Sequence, residues 1–135
     1  HKHLLQEKQL NSIYRSNENA MMVYGIKNCN TVKSAVNWLK EHRISFEFHD
    51  YKTQKISPDK LKDWCQQLGW ERLVNRRGTT WRQLSEQDQS SICDESTAIA
   101  MMLAKTSLIK RPLLEREGKV LIIGFHEGEY AEMFK

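Results

Sequence analysis

Hydrophobic spacing changes period several times along this chain, and each change marks an element. Met21 to Ile26 is a continuous apolar, β-prone run, which predicts a strand. A polar turn holding Cys29 follows. Val32, Ala35, Val36 and Leu39 then recur at i, i+3, i+4 and i+7, predicting a helix over 31–42. Ser45 to Tyr51 alternates aromatic and polar residues, the pattern of a second strand. Strand, helix and strand within about 30 residues predict a right-handed parallel unit.

Helical signals dominate the middle of the chain. Ser57-Pro58-Asp59 combines an N-cap serine, proline at the first helical position and an acid in the first turn. Leu61, Trp64, Cys65 and Leu68 form one apolar stripe, and Gly69 ends it. A short turn over 70–74 leads into the aperiodic basic stretch Asn75-Arg76-Arg77-Gly78-Thr79-Thr80-Trp81-Arg82, read as a loop. Two further helices are expected over 85–92, opened by Ser85-x-x-Asp88, and over 94–105, with Ala98, Met101, Met102 and Lys105 at helical spacing. The helical block spans about 55–106.

Leu108 to Leu114 reads as the next strand, Glu115 to Lys119 as a turn, and Val120 to Phe125 as the returning strand of a hairpin. Pro112 within the first of these demands an edge position or special geometry. A short helix over 127–134 closes the chain. The order is β-α-β, helices, β-β-α, an α/β chain whose mixed sheet with flanking helices is the thioredoxin-like arrangement. The polar stretch 1–20, which shows no sustained period, reads as an N-terminal extension outside the domain at 21–135.

Composition adds bounds rather than function. With 135 residues, 39% hydrophobic and 28% charged, the chain can bury a sizeable core. No apolar run has the length of a membrane span and no signal-peptide pattern opens the chain, so no membrane partner is expected. The net charge of +4 comes from lysines and arginines interleaved with acids, which suits a solvated surface rather than direct nucleic-acid binding. His1, His3, His42, His49 and His126 show no ligand spacing, and no metal site is expected. The three cysteines, Cys29, Cys65 and Cys93, form neither a disulfide framework nor a zinc pattern, which fits a reducing, cytoplasmic setting.

Chemistry concentrates at Cys29. Where a strand hands over to a helix, free backbone N–H groups and the helix dipole favour a thiolate, and Lys27 and Lys33 add positive charge. Two readings stay open from this stretch: a reactive thiol, or a small buried hydrophobe. Cys65 lies on its helix's apolar stripe and reads as core, and Cys93 carries no assignment. The basic stretch 75–82 could hold an anion through guanidinium forks, or serve only as a solvated loop.

Three segments together resemble the arsenate reductase (ArsC)/Spx family of thioredoxin-fold proteins, nearest to its YffB-like branch. They are Gly25-Ile26-Lys27-Asn28-Cys29-Asn30-Thr31, Asn75 to Arg82, and Ile109-Lys110-Arg111-Pro112-Leu113-Leu114. The resemblance implies that Cys29 is the nucleophile, flanked by Asn28, Asn30 and Thr31. It implies that Arg111 and an arginine from the helical insertion, Arg77 or its neighbour Arg76, bind anionic groups. Pro112 matches the family's cis-proline, whose neighbouring backbone can pair with a bound peptide. The implied activity is a glutathione-dependent thiol (disulfide) reductase with glutathione as co-substrate and no tightly bound cofactor. Alternatives are an arsenate reductase working with glutathione and glutaredoxin, or an Spx-like regulator that binds the RNA polymerase α subunit.

Departures from the family pattern bear on that choice. Val32 stands where a resolving cysteine would be, and Ala35 excludes the low-molecular-weight phosphatase loop. Glutaredoxin-linked arsenate reductases carry a histidine where this chain has Gly25, and a third arginine at the position aligned with Gly124. Thiol reduction therefore ranks above arsenate reduction.

Overall fold

A computed structural model describes residues 20–135 of the chain. The expectation for the extension at 1–20 otherwise lies outside the described residues. A four-stranded mixed sheet has the order β2-β1-β3-β4, built from β1 (Met22–Gly25), β2 (Glu47–Asp50), β3 (Leu113–Arg116) and β4 (Lys119–Ile123). β1 runs parallel to β2 and antiparallel to β3, and β3 pairs antiparallel with β4 through a register shift at Leu114/Glu115. Helix α1 (Asn30–Glu41) connects the parallel pair, and α7 (Glu127–Met133) follows the hairpin. Between β2 and β3 lie α2 (Pro58–Leu68), α3 (Trp70–Leu73), α4 (Thr79–Gln83), α5 (Glu86–Ser91) and α6 (Glu95–Ala104).

Side-chain alternation along the central strands divides the core between two faces. Val23 and Leu114 face α1 and α7, where Ala35, Trp38, Leu39 and Tyr130 are buried. Tyr24 and Leu113 face the inserted helices, packing among Leu61, Trp64, Cys65, Ala98 and Met102. This second face also buries a charge. Glu115, only 4% exposed, accepts hydrogen bonds from Trp64 Nε1 at 2.7 Å, from Tyr24 Oη at 3.3 Å and from Lys60 Nζ. A buried carboxylate requires such partners, and these fasten α2 to the sheet's central strand.

The helix signals act as the sequence suggests. Ser57 Oγ accepts from Lys60 N, and Ser85 Oγ from Asp88 N. Asp94 and Thr97 form a reciprocal capping box that the sequence reading did not single out. The Thr97 backbone and hydroxyl hold the Asp94 carboxyl below its ordinary range.

Three expectations change. Thr79 to Gln83 is a helical turn rather than loop, begun at Gly78 and closed by Leu84 N donating to the Trp81 carbonyl. The hairpin turn is shorter than expected: β3 runs through Arg116 and β4 starts at Lys119, leaving the two-residue turn Glu117-Gly118 with φ of 52° and 77°. Such a primed turn matches the twist of the strands it joins. Finally, Leu108 to Pro112 does not belong to β3. Thr106–Leu108 is a 3₁₀ turn, and Ile109 bridges Val74 in the insertion. Lys110 N donates to the Leu73 carbonyl and Asn75 N to the Leu108 carbonyl. Backbone pairing of this segment is thus taken by the insertion. Pro112 precedes an interior strand rather than an edge, and its special geometry is a cis peptide bond with Arg111.

Candidate functional site

Cys29 is the N-cap residue of α1, with extended backbone (φ −137°, ψ 123°). Its carbonyl accepts from Lys33 N at 2.9 Å, which closes the first helical turn. Its side chain makes no capping hydrogen bond. The amides of Asn30, Thr31 and Val32 therefore precede the first possible i→i−4 bond and remain free for a ligand. Asn28, Asn30 and Thr31 are exposed around the half-buried Cys29. Below, Cys29 packs against the core cluster that contains Val74, Leu108 and Ile109.

The β1–β3 register sets Tyr24 opposite Leu113. Continued by one residue, it sets Pro112 opposite Gly25, at the strand end that leads to Cys29. The Val74–Ile109 bridge then ties Arg111, two residues beyond Ile109, to the segment carrying Arg76 and Arg77. The three sequence segments singled out above thus gather at one end of the sheet.

The two neighbouring arginines have different surroundings. The Arg76 guanidinium lies 5.4 Å from the Trp70 ring centroid and 5.8 Å from that of Trp81, held between two indoles. Among the described residues the Arg77 guanidinium makes no hydrogen bond or ion pair. Only its backbone is engaged, with N–H donating to Asn75 Oδ1 at 3.2 Å and the carbonyl accepting from Arg82. Arg77 thus differs from Arg76 in having, among the described residues, no aromatic ring against its guanidinium. Arg111 is anchored through Nη1, which donates to the carbonyls of Ser107 at 2.7 Å and Ile109 at 3.3 Å. Its Nε is buried without a partner, as is the hydroxyl of Tyr51. Burial holds the Tyr51 hydroxyl well above its ordinary range; Tyr24 adds to the rise and the Arg111 charge opposes it.

The two departures from the arsenate reductase pattern have packing reasons. A Cβ on Gly25 would approach Val32 Cγ2 to 2.9 Å, so α1 seats directly on this glycine and leaves no room for histidine. Gly124 sits at φ 84°, a region where an arginine backbone is strained. Cys65 is 5% exposed within the insertion, and Cys93 is exposed at the α5–α6 junction. Sequence reasoning missed the buried Glu115 cluster, because its partners come from segments far apart in the chain. Among the described residues no group of His, Cys, Asp or Glu could hold a metal ion, and no helix is long and apolar enough to cross a membrane.

Comparison with known proteins agrees with this fold. An uncharacterized protein of Haemophilus influenzae is 46% identical over 112 residues, covering 83% of this chain and 96% of that protein. The global transcriptional regulator Spx of Lactiplantibacillus plantarum is 28% identical over 111 residues, covering 81% and 82% respectively. Among solved structures, a YFFB protein superposes with a TM-score of 0.79 at 43% identity, covering 86% of this chain and all of that one. The sequence profile of the ArsC family matches residues 24–133, and the chain belongs to the ArsC family.

Proposed function

We propose that this protein is a glutathione-dependent thiol–disulfide reductase acting through the single nucleophile Cys29. The observation that carries the reading is the free Cys29 side chain at the N-cap of α1, with no second cysteine on its strand, turn or helix. The thiolate attacks the glutathionyl sulfur of a mixed disulfide, forming Cys29–S–S–glutathione and expelling the substrate thiolate, which takes a proton from water. The thiolate of a second glutathione then attacks the glutathionyl sulfur of the adduct. Oxidised glutathione leaves and the Cys29 thiolate is restored. Lacking a resolving cysteine, the chain needs such an external thiol. Arg77 and Arg111 offer cationic groups to the carboxylates of glutathione. Arsenate reduction ranks lower because Gly25 and Gly124 stand where that chemistry places a histidine and a third arginine.

Intact-mass measurement after exposure to oxidised glutathione tests the reading, comparing wild type with Cys29→Ser. One glutathione adduct in the wild type and none in the variant is expected. An adduct only on Cys65 or Cys93, or none, refutes it. The similarity to Spx supports a second reading, a regulator that binds the RNA polymerase α subunit. Failure of the α C-terminal domain to retain the protein would remove that reading.

A further inference from the structure

We propose that an open cleft between the β2–α2 loop, the start of α4 and the α6–β3 junction is a carboxylate-binding subsite for the glutathionyl group. This assignment rests on the reductase reading above. The cleft encloses about 550 Å³ and is lined by the ammonium-bearing Lys52, Lys55 and Lys105 and the hydroxyl-bearing Thr80, Thr106 and Ser107. Three separate chain segments contribute these groups, and no carboxylate lies among the lining residues. A concave site with three cations and no counter-charge selects anions.

Two further observations mark the cleft as more than a solvated surface. Its wall includes Tyr51, fully buried, whose hydroxyl has no hydrogen-bond partner. Lys55 adopts φ 61°, unusual for a residue with a side chain, and its carbonyl accepts a hydrogen bond from His49 Nε2. Backbone held in this region by a neighbour concentrates at ligand sites.

Position relates the cleft to Cys29. Thr80 follows Arg77 by three residues, and the Ser107 carbonyl holds Arg111 Nη1. Tyr51 N donates to the Gly25 carbonyl at 2.8 Å, at the strand end that leads to Cys29. The cleft thus adjoins the segments carrying both arginines. Glutathione brings two carboxylates flanking its thiol, and charge held here would seat the glutathionyl group beside the segments that carry both arginines. Phosphate shares this chemistry and serves as the competing ligand.

The test is an amide-resolved NMR titration of the wild-type chain with S-methylglutathione, whose blocked sulfur separates binding from chemistry. Saturable shifts at Lys52, Thr80, Thr106 and Ser107 are expected. Lys52→Glu and Lys105→Glu should each weaken the dissociation constant roughly fivefold or more, and added salt should weaken it further. Amides that do not move, or affinities indifferent to both charge reversals, overturn the assignment. Inorganic phosphate filling the cleft while S-methylglutathione does not also overturns it, in favour of a phosphate site. Binding in the cleft together with an unmodified Cys29 after oxidised glutathione would sink the reductase reading and leave the subsite standing. The reverse pair of results would sink the subsite alone.

Discussion

Removing the buried carboxylate of Glu115 perturbs the joint between insertion and sheet most directly. Its Oε2 accepts from Trp64 Nε1 at 2.7 Å, and its Oε1 accepts from Tyr24 Oη and Lys60 Nζ. Lys60 also lies 5.7 Å from the Tyr24 ring centroid and 5.8 Å from that of Trp64. Glu115→Ala strands the indole N–H and a phenol in the core, each costing about 1–3 kcal/mol. It also leaves the Lys60 ammonium without its partner, although at 27% side-chain exposure that group recovers part of its hydration. The shared environment makes these losses less than additive, and a total of about 3–4 kcal/mol is expected. That is a large part of the roughly 5–15 kcal/mol that holds a domain folded. Glu115→Gln keeps an acceptor for Trp64 but sets an amide NH2 in place of the oxygen shared by Tyr24 and Lys60, so an intermediate loss of about 2 kcal/mol is expected. Urea unfolding of the three proteins reads both values, as a lower midpoint at unchanged slope. Glu115→Ala within about 0.5 kcal/mol of wild type would refute the view that this cluster fastens α2 to β3.

Burial pushes the Cys65 thiol up to about 11, with the Glu95 charge adding to the rise. Iodoacetamide at pH 8 should therefore modify Cys29 and Cys93 well before Cys65, as peptide mapping would show; Cys65 reacting at the rate of Cys93 contradicts this. Because the folded value lies above the ordinary one of 9.0, the associated stability is fully present below pH 9 and lost as pH rises to about 11. Cys65→Ala should flatten that alkaline decline in a thermal-melt series, and an unchanged slope would count against the linkage. The two adjacent arginines should separate cleanly. Arg76→Ala removes two indole contacts and should lower stability by about 1–2 kcal/mol, whereas Arg77→Ala should leave melting unchanged and slow adduct formation at Cys29 by tenfold or more. Equal effects of the two substitutions on both readouts would refute the division of roles.

Local signals were sufficient for much of the architecture. The stripe from Val32 to Leu39, the Ser57-Pro58-Asp59 start and the Gly69 stop are each decided by neighbours within one or two helical turns. The structure places those elements within a residue or two of expectation. Cys29 at a helix start was legible for the same reason, since a strand-to-helix handover is a short-range event. Its partners were not. Which of Arg76 and Arg77 is enclosed depends on Trp70 and Trp81 closing on one of them, and spacing along the chain does not encode that.

The segment from Leu108 to Pro112 shows the limit most plainly. Its β-prone composition suits a strand, yet whether it extends β3 or pairs elsewhere depends on which unpaired backbone lies alongside. Here Val74 and its neighbours supply that backbone. Pro112, lacking an N–H, cannot carry a ladder through into β3. The burial of Glu115, in a stretch read as a turn, was equally invisible. A carboxylate belongs in a core only once Trp64, Tyr24 and Lys60 converge on it, and they do so from positions 51, 91 and 55 residues away. Sequence alone determined most of the elements and placed Cys29 at a helix start, because periodicity, capping and helix polarity act over a few residues. Tertiary structure decided the surroundings of that cysteine, because electrostatics and packing act through space and pay no heed to distance along the chain.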